Sequence, residues 1–467
     1  MDISFFDSEV WAFLVIIALL LAAMMVAYAM KRTIPRVRQS LIPPSVLGGL
    51  FLLAASTIFK LITGKYMFET GIFLKGFQTS GNATLEIITY HCLAIGFVSM
   101  TLRTTDKKIG GRRAVEVFNT GVTTVATYLL QAILGLGITI PAVMIATDSG
   151  LIPAAGVLLA FGFGQGTGQA LNFGKIYEAE RGFAGGASFG LTVAAIGFLT
   201  STIVGVAYLN YLRRKGRLTG VNVGRVEQTI VEDEGDNESM DTFTVQVALI
   251  LIVYVIAYAI INLLSRLLPG LQHTFFGFNF LLAVLVAIPV KAIVNLIQKR
   301  VGGERKIISN YLMNRIGGFA FDLMIVAGIA AIRIDLITNY WLVLLLMFIF
   351  GAVFSFAYLH IVCKKLFPEY EIEQFMAMFG MLTGTASTGI ILLREIDRDL
   401  RTPASENLVY QNLPAIVFGF PILLLANYAP LGMKQSIVTL GLCMLFFVVM
   451  NVILFRRALF GRKKGSD

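Results

Sequence analysis

Apolar segments of about 20 residues recur along this chain, separated by short polar stretches. A helix of that length spans the hydrocarbon core of a bilayer, so the pattern predicts an all-α polytopic membrane protein. The predicted spans lie at about 10–30, 43–62, 82–102, 115–146, 183–210, 243–267, 277–298, 317–337, 340–363, 406–429 and 435–455.

Two polar, glycine-rich segments interrupt this pattern. They read FGFGQGTGQALN at 161–172 and FGMLTGTASTG at 379–389. Aligning Gly166 with Gly384 gives an offset of 218 residues and also superposes the Phe-Gly pairs that begin both segments. Irregular backbone does not face lipid, because each unpaired N–H or C=O group costs several kcal/mol there. Both segments are therefore predicted to lie inside protein or to line a wet cavity, as in a transport site.

Composition agrees with a membrane protein. Hydrophobic residues make up 57% of the chain and charged residues only 14%, against about 25% in globular domains. The three cysteines lie singly in or beside apolar runs, so neither a disulfide framework nor a metal site is predicted. The first apolar run follows acidic residues and is interpreted as a retained helix, not a cleaved signal peptide. The net charge of +10 comes without a basic helix or aromatic stripe, so nucleic acid is not a predicted partner.

Basic residues cluster in alternate loops. Six clusters hold 30 of the 38 Lys and Arg residues. By the positive-inside rule these loops are cytoplasmic, which predicts an outside N-terminus and a cytoplasmic C-terminus. The clusters lie at 31–38, 103–113, 213–225, 291–315, 364–401 and 456–464.

The same charge pattern makes each glycine-rich segment the middle of a re-entrant hairpin. The spans flanking 151–175 both meet that segment on the outer side, whereas the spans flanking 371–394 meet it on the cytoplasmic side. The two hairpins are therefore predicted to enter the membrane from opposite faces.

This order predicts two inverted-topology repeats, each of five transmembrane helices plus one re-entrant hairpin, with an extra C-terminal helix. The N-terminal repeat covers 1–212 and the C-terminal repeat 242–430. A cytoplasmic linker at 213–241 joins them, and 431–467 holds the additional helix and a basic tail.

The chemistry of the hairpins suits a carboxylate together with a hard cation. Glycine admits a positive φ and close approach to a ligand. Helix N-termini bind anionic groups, and unwound carbonyls coordinate Na⁺. Neutral oxygens suit such a cation better than a transition metal. The predicted substrate-binding residues are Gly164, Gln165, Gly166, Thr167, Gly168, Thr383, Gly384, Thr385, Ser387 and Thr388.

Polar residues around the hairpins could complete a cation site. The same side chains also suit interhelical hydrogen bonds, and a single glycine-rich segment also suits close helix packing. Ionisable residues within the spans (Glu86, His91 and Asp322) are weaker candidates, with a paired or solvated structural role as the alternative. The Na⁺ candidates are Asn119, Thr120, Thr123, Asn172, Gln411 and Asn412.

Residues 10–430 resemble the bacterial sodium/glutamate symporter family. IPPSVLGG at 42–49 and GQGTGQALNFGKIYEAERGFAGGASFG at 164–190 carry the resemblance, together with the predicted repeats and hairpins. Gln165 stands where the family has histidine, and the second hairpin is richer in Thr and Ser than the family pattern. The residues that match the family's first hairpin are Gly164, Gly166, Thr167 and Gly168.

The resemblance implies Na⁺-coupled symport of a small carboxylate, with glutamate as the first candidate. It also implies a homodimer in the bacterial cytoplasmic membrane, surrounded by membrane lipid, in which a mobile core moves against a scaffold. The alternatives are a re-entrant-loop channel and a proton- or Na⁺-coupled antiporter, for which Asp322 would be the essential carboxylate. An enzyme is not predicted, because the chain has no recognisable pair of catalytic groups.

Overall fold

The computed structural model describes most of the chain, and its regular secondary structure there is helical throughout. The predicted linker at 213–241 and the basic C-terminal tail lie largely outside the described residues. The described residues are 8–71, 73, 80–103, 111–146, 149–217, 241–269, 272–301, 307–397 and 401–456.

Within these residues, eleven helices are long and apolar enough to span a membrane, and each overlaps one predicted span. The chain is thus a multi-pass helical membrane protein. The long helices are α1 (Ser8–Thr33), α3 (Pro44–Thr63), α4 (Gly81–Leu102), α5 (Gly111–Ile145), α8 (Gly186–Arg214), α9 (Thr242–Leu267), α11 (Asn279–Val301), α12 (Asn310–Ala330), α13 (Trp341–Leu366), α17 (Asn412–Tyr428) and α18 (Met433–Leu454). The shorter helices are α2 (Pro35–Gln39), α6 (Leu158–Gln165), α7 (Thr167–Arg181), α10 (Gln272–Gly277), α14 (Glu371–Leu382), α15 (Ala386–Arg394) and α16 (Ala404–Tyr410).

The eighth span differs most from its predicted bounds of 317–337. Helix α12 begins at Asn310, because the Ser309 side chain accepts a hydrogen bond from the Leu312 N–H and caps the helix. It ends at Ala330, ahead of a short 3₁₀ turn at Ile334–Leu336. Hydropathy alone placed the span too late, because Asn310, Asn314 and Arg315 make the first two turns of α12 less apolar than the rest, while Ile332, Ile334 and Ile337 follow the helix.

The described helices form two compact units. One unit contains the first part of α1, most of α3, α4 and α9 to α12. In it, α4 and α12 cross closely: the Ser99 hydroxyl donates to the Met313 carbonyl at 2.5 Å, and a methyl group on Gly96 would lie 2.6 Å from the Phe321 ring. The apolar core of this unit is formed by residues of α4, α9, α11 and α12, with Ile308 ahead of α12.

The second unit contains α2, α5 to α8 and α13 to α18. Its core surrounds α14 and α15, with Leu209 of α8, Leu359 of α13 and Leu408 of α16 packed against them. Both glycine-rich segments belong to this unit.

The close packing of α14 on α15 generates a test of the fold. A methyl group on Gly389 would collide with the Ala377 carbonyl oxygen and lie 3.2 Å from the Met381 nitrogen. We expect Gly389→Ala to destabilise the protein by about 1–3 kcal/mol, because both obstacles are backbone atoms that cannot rotate away. The measurement is the thermal unfolding of the purified protein in detergent.

Gly137→Ala is the matched control. Gly137 lies within α5, and nothing lies within 4 Å of the position that its methyl group would take. The control should be neutral or stabilising, because alanine favours helix by up to about 1 kcal/mol over glycine. Equal destabilisation by both substitutions would contradict the packing of α14 on α15.

Candidate functional site

The first hairpin consists of two helices separated by one residue. Helix α6 ends at Gln165 and α7 begins at Thr167, while Gly166 between them has φ 82° and ψ −170°. That conformation is strained for any residue with a side chain, so glycine is required at the break. The rings of Phe161 and Phe173 stack with centroids 4.0 Å apart, which shows that the two arms fold back on each other.

The second hairpin has the same design with a longer break. Helix α14 ends at Leu382 and α15 begins at Ala386. The Thr385 hydroxyl accepts a hydrogen bond from the Thr388 N–H and so caps α15. A methyl group on Gly380 would lie 2.7 Å from the Gly389 Cα atom, so here too the arms run antiparallel and in contact.

The two breaks lie next to each other. A methyl group on Gly166 would be 3.8 Å from the Gly384 carbonyl oxygen and 3.8 Å from Thr385 Cγ2. Each break joins the C-terminus of one helix to the N-terminus of the next. N–H groups and carbonyls of four helix ends, which have no partners within their own helices, therefore converge on one small region. Such a region can attract an anion at the N-termini and a cation at the carbonyls.

The hairpins reach this point from opposite ends of α5. At the base of the first hairpin, the Thr139 hydroxyl donates to the Pro153 carbonyl at 2.5 Å. At the base of the second, the Tyr370 hydroxyl donates to Glu116 Oε2 at 2.7 Å. Thr139 and Glu116 are 23 residues apart on α5, about 35 Å along the helix axis. The tips of both hairpins thus meet beside the middle of α5.

Gln131 of α5 lies between the two breaks and was missed by the sequence analysis. Its amide nitrogen donates to the Leu382 carbonyl at 2.8 Å and to the Ser355 hydroxyl at 3.1 Å. Its amide oxygen lies 2.9 Å from the position of a methyl group on Gly164 and has no hydrogen-bond partner among the described residues. Gln131 therefore connects α5 and α13 to the second break and presents a free acceptor to the first hairpin.

Three other buried carboxamides near the hairpins also have unpartnered atoms in the described structure: those of Gln169, Gln411 and, at the base of the second hairpin, Asn407. Gln169, in the first turn of α7, is 1% exposed, and neither its oxygen nor its nitrogen has a partner. Gln411, between α16 and α17, donates to the Met381 sulfur at 3.4 Å, while its oxygen has no partner. An unpaired buried polar group costs about 1–3 kcal/mol. The unpaired atoms of Gln131 and Gln169, which adjoin the breaks, indicate a place suited to binding something polar.

The predicted substrate-binding residues all belong to the two hairpins, at or beside the breaks. Gly164 to Gly168 surround the first break, and Thr383 to Thr385 form the second. Thr388 is buried, and its hydroxyl is hydrogen-bonded to that of Thr385 at 3.2 Å. Ser387 is exposed.

The predicted Na⁺ candidates are spread more widely. Asn172 is buried on α7, and Gln411 touches the end of α14 through Met381. Gln411 also donates to Asn412 Oδ1 at 3.3 Å. Asn119 precedes Gln131 by 12 residues, about 18 Å along α5. Its side-chain oxygen accepts a hydrogen bond from Arg456.

Thr120 and Thr123 lie on the same part of α5 as Asn119. Each hydroxyl donates to the carbonyl four residues earlier, and Thr120 also accepts from Gln374 at 3.2 Å. The structure therefore brings Asn172 and Gln411 to the hairpins, but it does not bring Asn119 or Thr120 to the tips.

The ionisable candidates Glu86, His91 and Asp322 belong to the other compact unit. A ring nitrogen of His91 and the Tyr254 hydroxyl are 2.8 Å apart, the geometry of a structural hydrogen bond. Among the residues with described positions, no group of three or more His, Cys, Asp or Glu side chains could hold a metal ion.

A buried polar network fastens the base of the second hairpin to α5. Glu116, only 8% exposed, accepts hydrogen bonds from Arg112, Arg113 and Tyr370. Asn407 of α16 donates to the Tyr370 hydroxyl at 3.1 Å and to Gln374 Oε1 at 2.9 Å. Burial and the bond to Glu116 raise the pKa of Tyr370, so its hydroxyl remains a donor at neutral pH.

Comparisons with known proteins do not assign a family. No known protein family matches the chain, and a search of curated proteins finds no significant similarity to it. The resemblance to the sodium/glutamate symporters therefore stays a prediction, and the site stands on its geometry.

The Glu116 network makes a prediction of its own. We expect Tyr370→Phe to lower stability by about 1.5–3 kcal/mol, because it removes a hydrogen bond to a buried carboxylate. Tyr358→Phe is the matched control, since the Tyr358 hydroxyl is bonded to the neutral Asn451 oxygen at 3.1 Å and should cost only about 0.5–1.5 kcal/mol. Thermal unfolding of both variants provides the measurement, and an equal or larger loss in Tyr358→Phe would refute the role given to the network.

Proposed function

We propose that this protein is a secondary active transporter that couples uptake of a small carboxylate, glutamate first among the candidates, to the Na⁺ gradient. The observation that carries the proposal is the meeting of two broken hairpins, from opposite ends of α5, at a point with unpartnered buried carboxamides. Both polar atoms of the Gln169 amide and the oxygen of Gln131 lack partners among the described residues, and a polar ligand at the breaks would supply them.

The anionic substrate is accounted for by the two helix N-termini at the breaks. Helix α7 begins beside Gly166 and α15 begins at Ala386, and N–H groups of a helix N-terminus favour a carboxylate. Thr167 is buried in the first turn of α7, where its hydroxyl can orient a ligand. No buried cation at the tips is needed for this recognition.

The coupling ion is accounted for by neutral oxygens. The oxygens of Gln131, Gln169 and Gln411 lack partners among the described residues. Carbonyl groups at the ends of α6 and α14 add further oxygens. A set of neutral oxygen ligands fits a hard cation such as Na⁺.

Alternating access follows from inverted repeats in this proposal. Each compact unit takes equivalent helices from both halves of the chain: the first three spans pair with the sixth to eighth, and the fourth and fifth with the ninth and tenth. This composition supports two inverted repeats. The motion of a hairpin-bearing core against a scaffold rests on the family resemblance.

The remaining parts of the proposal rest on the sequence. The loop charges favour an outside N-terminus and a cytoplasmic C-terminus in the bacterial inner membrane. The family resemblance favours a homodimer.

Uptake into proteoliposomes tests the transport class. Protein is reconstituted with K⁺ inside, and labelled glutamate is added outside in Na⁺ or in K⁺ medium, followed by a panel of small carboxylates. We expect saturable uptake that requires the inward Na⁺ gradient. It should grow with an inside-negative potential where more than one Na⁺ enters with each monovalent anion, because each net positive charge moved gains ~2.3 kcal/mol per 100 mV.

The alternatives give different results in the same experiment. Flux that neither saturates nor depends on an ion gradient would indicate a channel. Flux driven by a pH gradient and abolished by Asp322→Asn would indicate a proton-coupled antiporter. No flux of any carboxylate under any gradient would refute the proposed function.

Gln169→Met tests the site separately from folding. Because the Gln169 amide has no protein partner in the described structure, its removal should leave the melting temperature of the ligand-free protein unchanged or higher. The same variant should lose the stabilisation that Na⁺ with glutamate gives the wild type, and it should lose coupled uptake. A fall in ligand-free stability with uptake retained would contradict the assignment.

Gln246→Met is the matched control. Gln246 is fully buried, donates to the Ile307 carbonyl at 2.9 Å and accepts from the Ser309 N–H at 3.1 Å. The same substitution there should destabilise the protein by about 1–3 kcal/mol, because it leaves those backbone groups unpaired.

A further inference from the structure

A cavity of about 1030 Å³ lies outside the hairpin crossing, where three long helices have their basic ends together. Helix α5 contributes its first residues, and α13 and α18 contribute their last. Arg112, Lys365 and Arg456 line the cavity at these three ends.

Two of these three cations lack a carboxylate partner among the described residues. Arg112 is paired with Glu369 at 2.7 Å and with Glu116 at 3.2 Å. Lys365, by contrast, has its ammonium group 5.4 Å from the centre of the Phe455 ring.

Arg456 is likewise held by neutral groups. It donates to the Ile453 carbonyl at 2.7 Å and to Asn119 Oδ1 at 3.3 Å, and its guanidinium lies 5.4 Å from the centre of the Phe118 ring. Aromatic rings and neutral oxygens thus position two positive charges at the cavity without neutralising them.

The wall supplied by α18 is apolar and exposed. Val448 and Val452, one turn apart, are 58% and 39% exposed, and Phe447 and Leu454 line the cavity beside them. An exposed apolar face on a membrane-spanning helix is suited to an acyl chain. The cavity therefore combines fixed positive charge at the helix ends with an apolar wall along the span.

The geometry points to a binding site for an anionic phospholipid, with its phosphate between Lys365 and Arg456 and an acyl chain along Val448 and Val452 of α18. Basic pockets between transmembrane helices on the cytoplasmic side recognise anionic lipid head groups in this way. The site would anchor the additional C-terminal helix and α13 to one lipid molecule, and it does not depend on what the hairpins transport.

Native mass spectrometry of the full-length protein tests this site. The protein is purified in a neutral detergent and titrated with phosphatidylglycerol or phosphatidylcholine. We expect one phosphatidylglycerol to bind more tightly than any phosphatidylcholine. The double variant Lys365→Gln, Arg456→Gln should bind phosphatidylglycerol about tenfold or more weakly, because two charges near the phosphate are removed.

Two further variants make the result specific. Lys299→Gln with Arg300→Gln removes the same charge from the exposed end of α11 and should leave the affinity unchanged. Lys365→Arg with Arg456→Lys keeps both charges and should retain binding, which distinguishes charge recognition from a loss of folding.

Three outcomes would overturn the site. Equal weakening by the α11 control would show nonspecific attraction to basic helix ends. Equal binding of phosphatidylcholine would show that charge is not recognised. Displacement of phosphatidylglycerol by free glycerol 3-phosphate at equal concentration would show that the cavity binds a soluble phosphate, not a lipid.

Discussion

This structure depends on one constraint: the backbone N–H and C=O groups at two breaks in its helices need polar partners or protection from lipid inside an apolar protein. At Gly166 and at Thr383–Thr385 the helices stop and restart, which leaves N–H and C=O groups without intrahelical partners. In hydrocarbon each such group costs several kcal/mol. The hairpin arms, α5, α8 and α13 enclose the breaks, so the surrounding helices are arranged to keep lipid away from them.

Helix α5 meets this constraint by acting as a common support. It has 35 residues, about 52 Å in length, which is longer than a bilayer core requires. Its early part holds the base of the second hairpin through Glu116, and its late part holds the base of the first through Thr139. Gln131 between them contacts the Leu382 carbonyl. One continuous helix therefore contacts both hairpins at their bases and the second break at its tip.

The sequence predicted the parts of this arrangement that are local. Apolar length identified the spans, and glycine content identified both breaks, because Gly166 needs a positive φ and Gly380 a close approach. The sequence analysis did not identify Gln131, Ser355, Glu116, Tyr370 or Asn407. Their roles depend on hydrogen-bond partners up to 254 positions away in the chain, which the local pattern does not reveal. The only sequence signal for such residues was a polar side chain within an apolar span. Many residues that serve only helix packing share that feature. The predicted start of α12 was wrong because Ser309 caps the helix ahead of Asn310, which hydropathy does not detect.

The charged side chains of α5 lie away from the hairpin tips, and this explains why the proposed site uses dipoles and not charges. The charged side chains of α5 itself pair with one another near Glu116, as the bonds from Arg112 and Arg113 show. The tips present carboxamides and helix ends instead. A lone buried charge would need a permanent partner, because its desolvation costs several kcal/mol. Unpaired dipoles cost less than an unpaired charge, so the protein tolerates the site without a ligand.

In the proposed transporter, a carboxylate and a cation would then neutralise each other within the site, and each would make binding of the other more favourable. Coupling would arise from that mutual neutralisation, without a titrating residue at the tips.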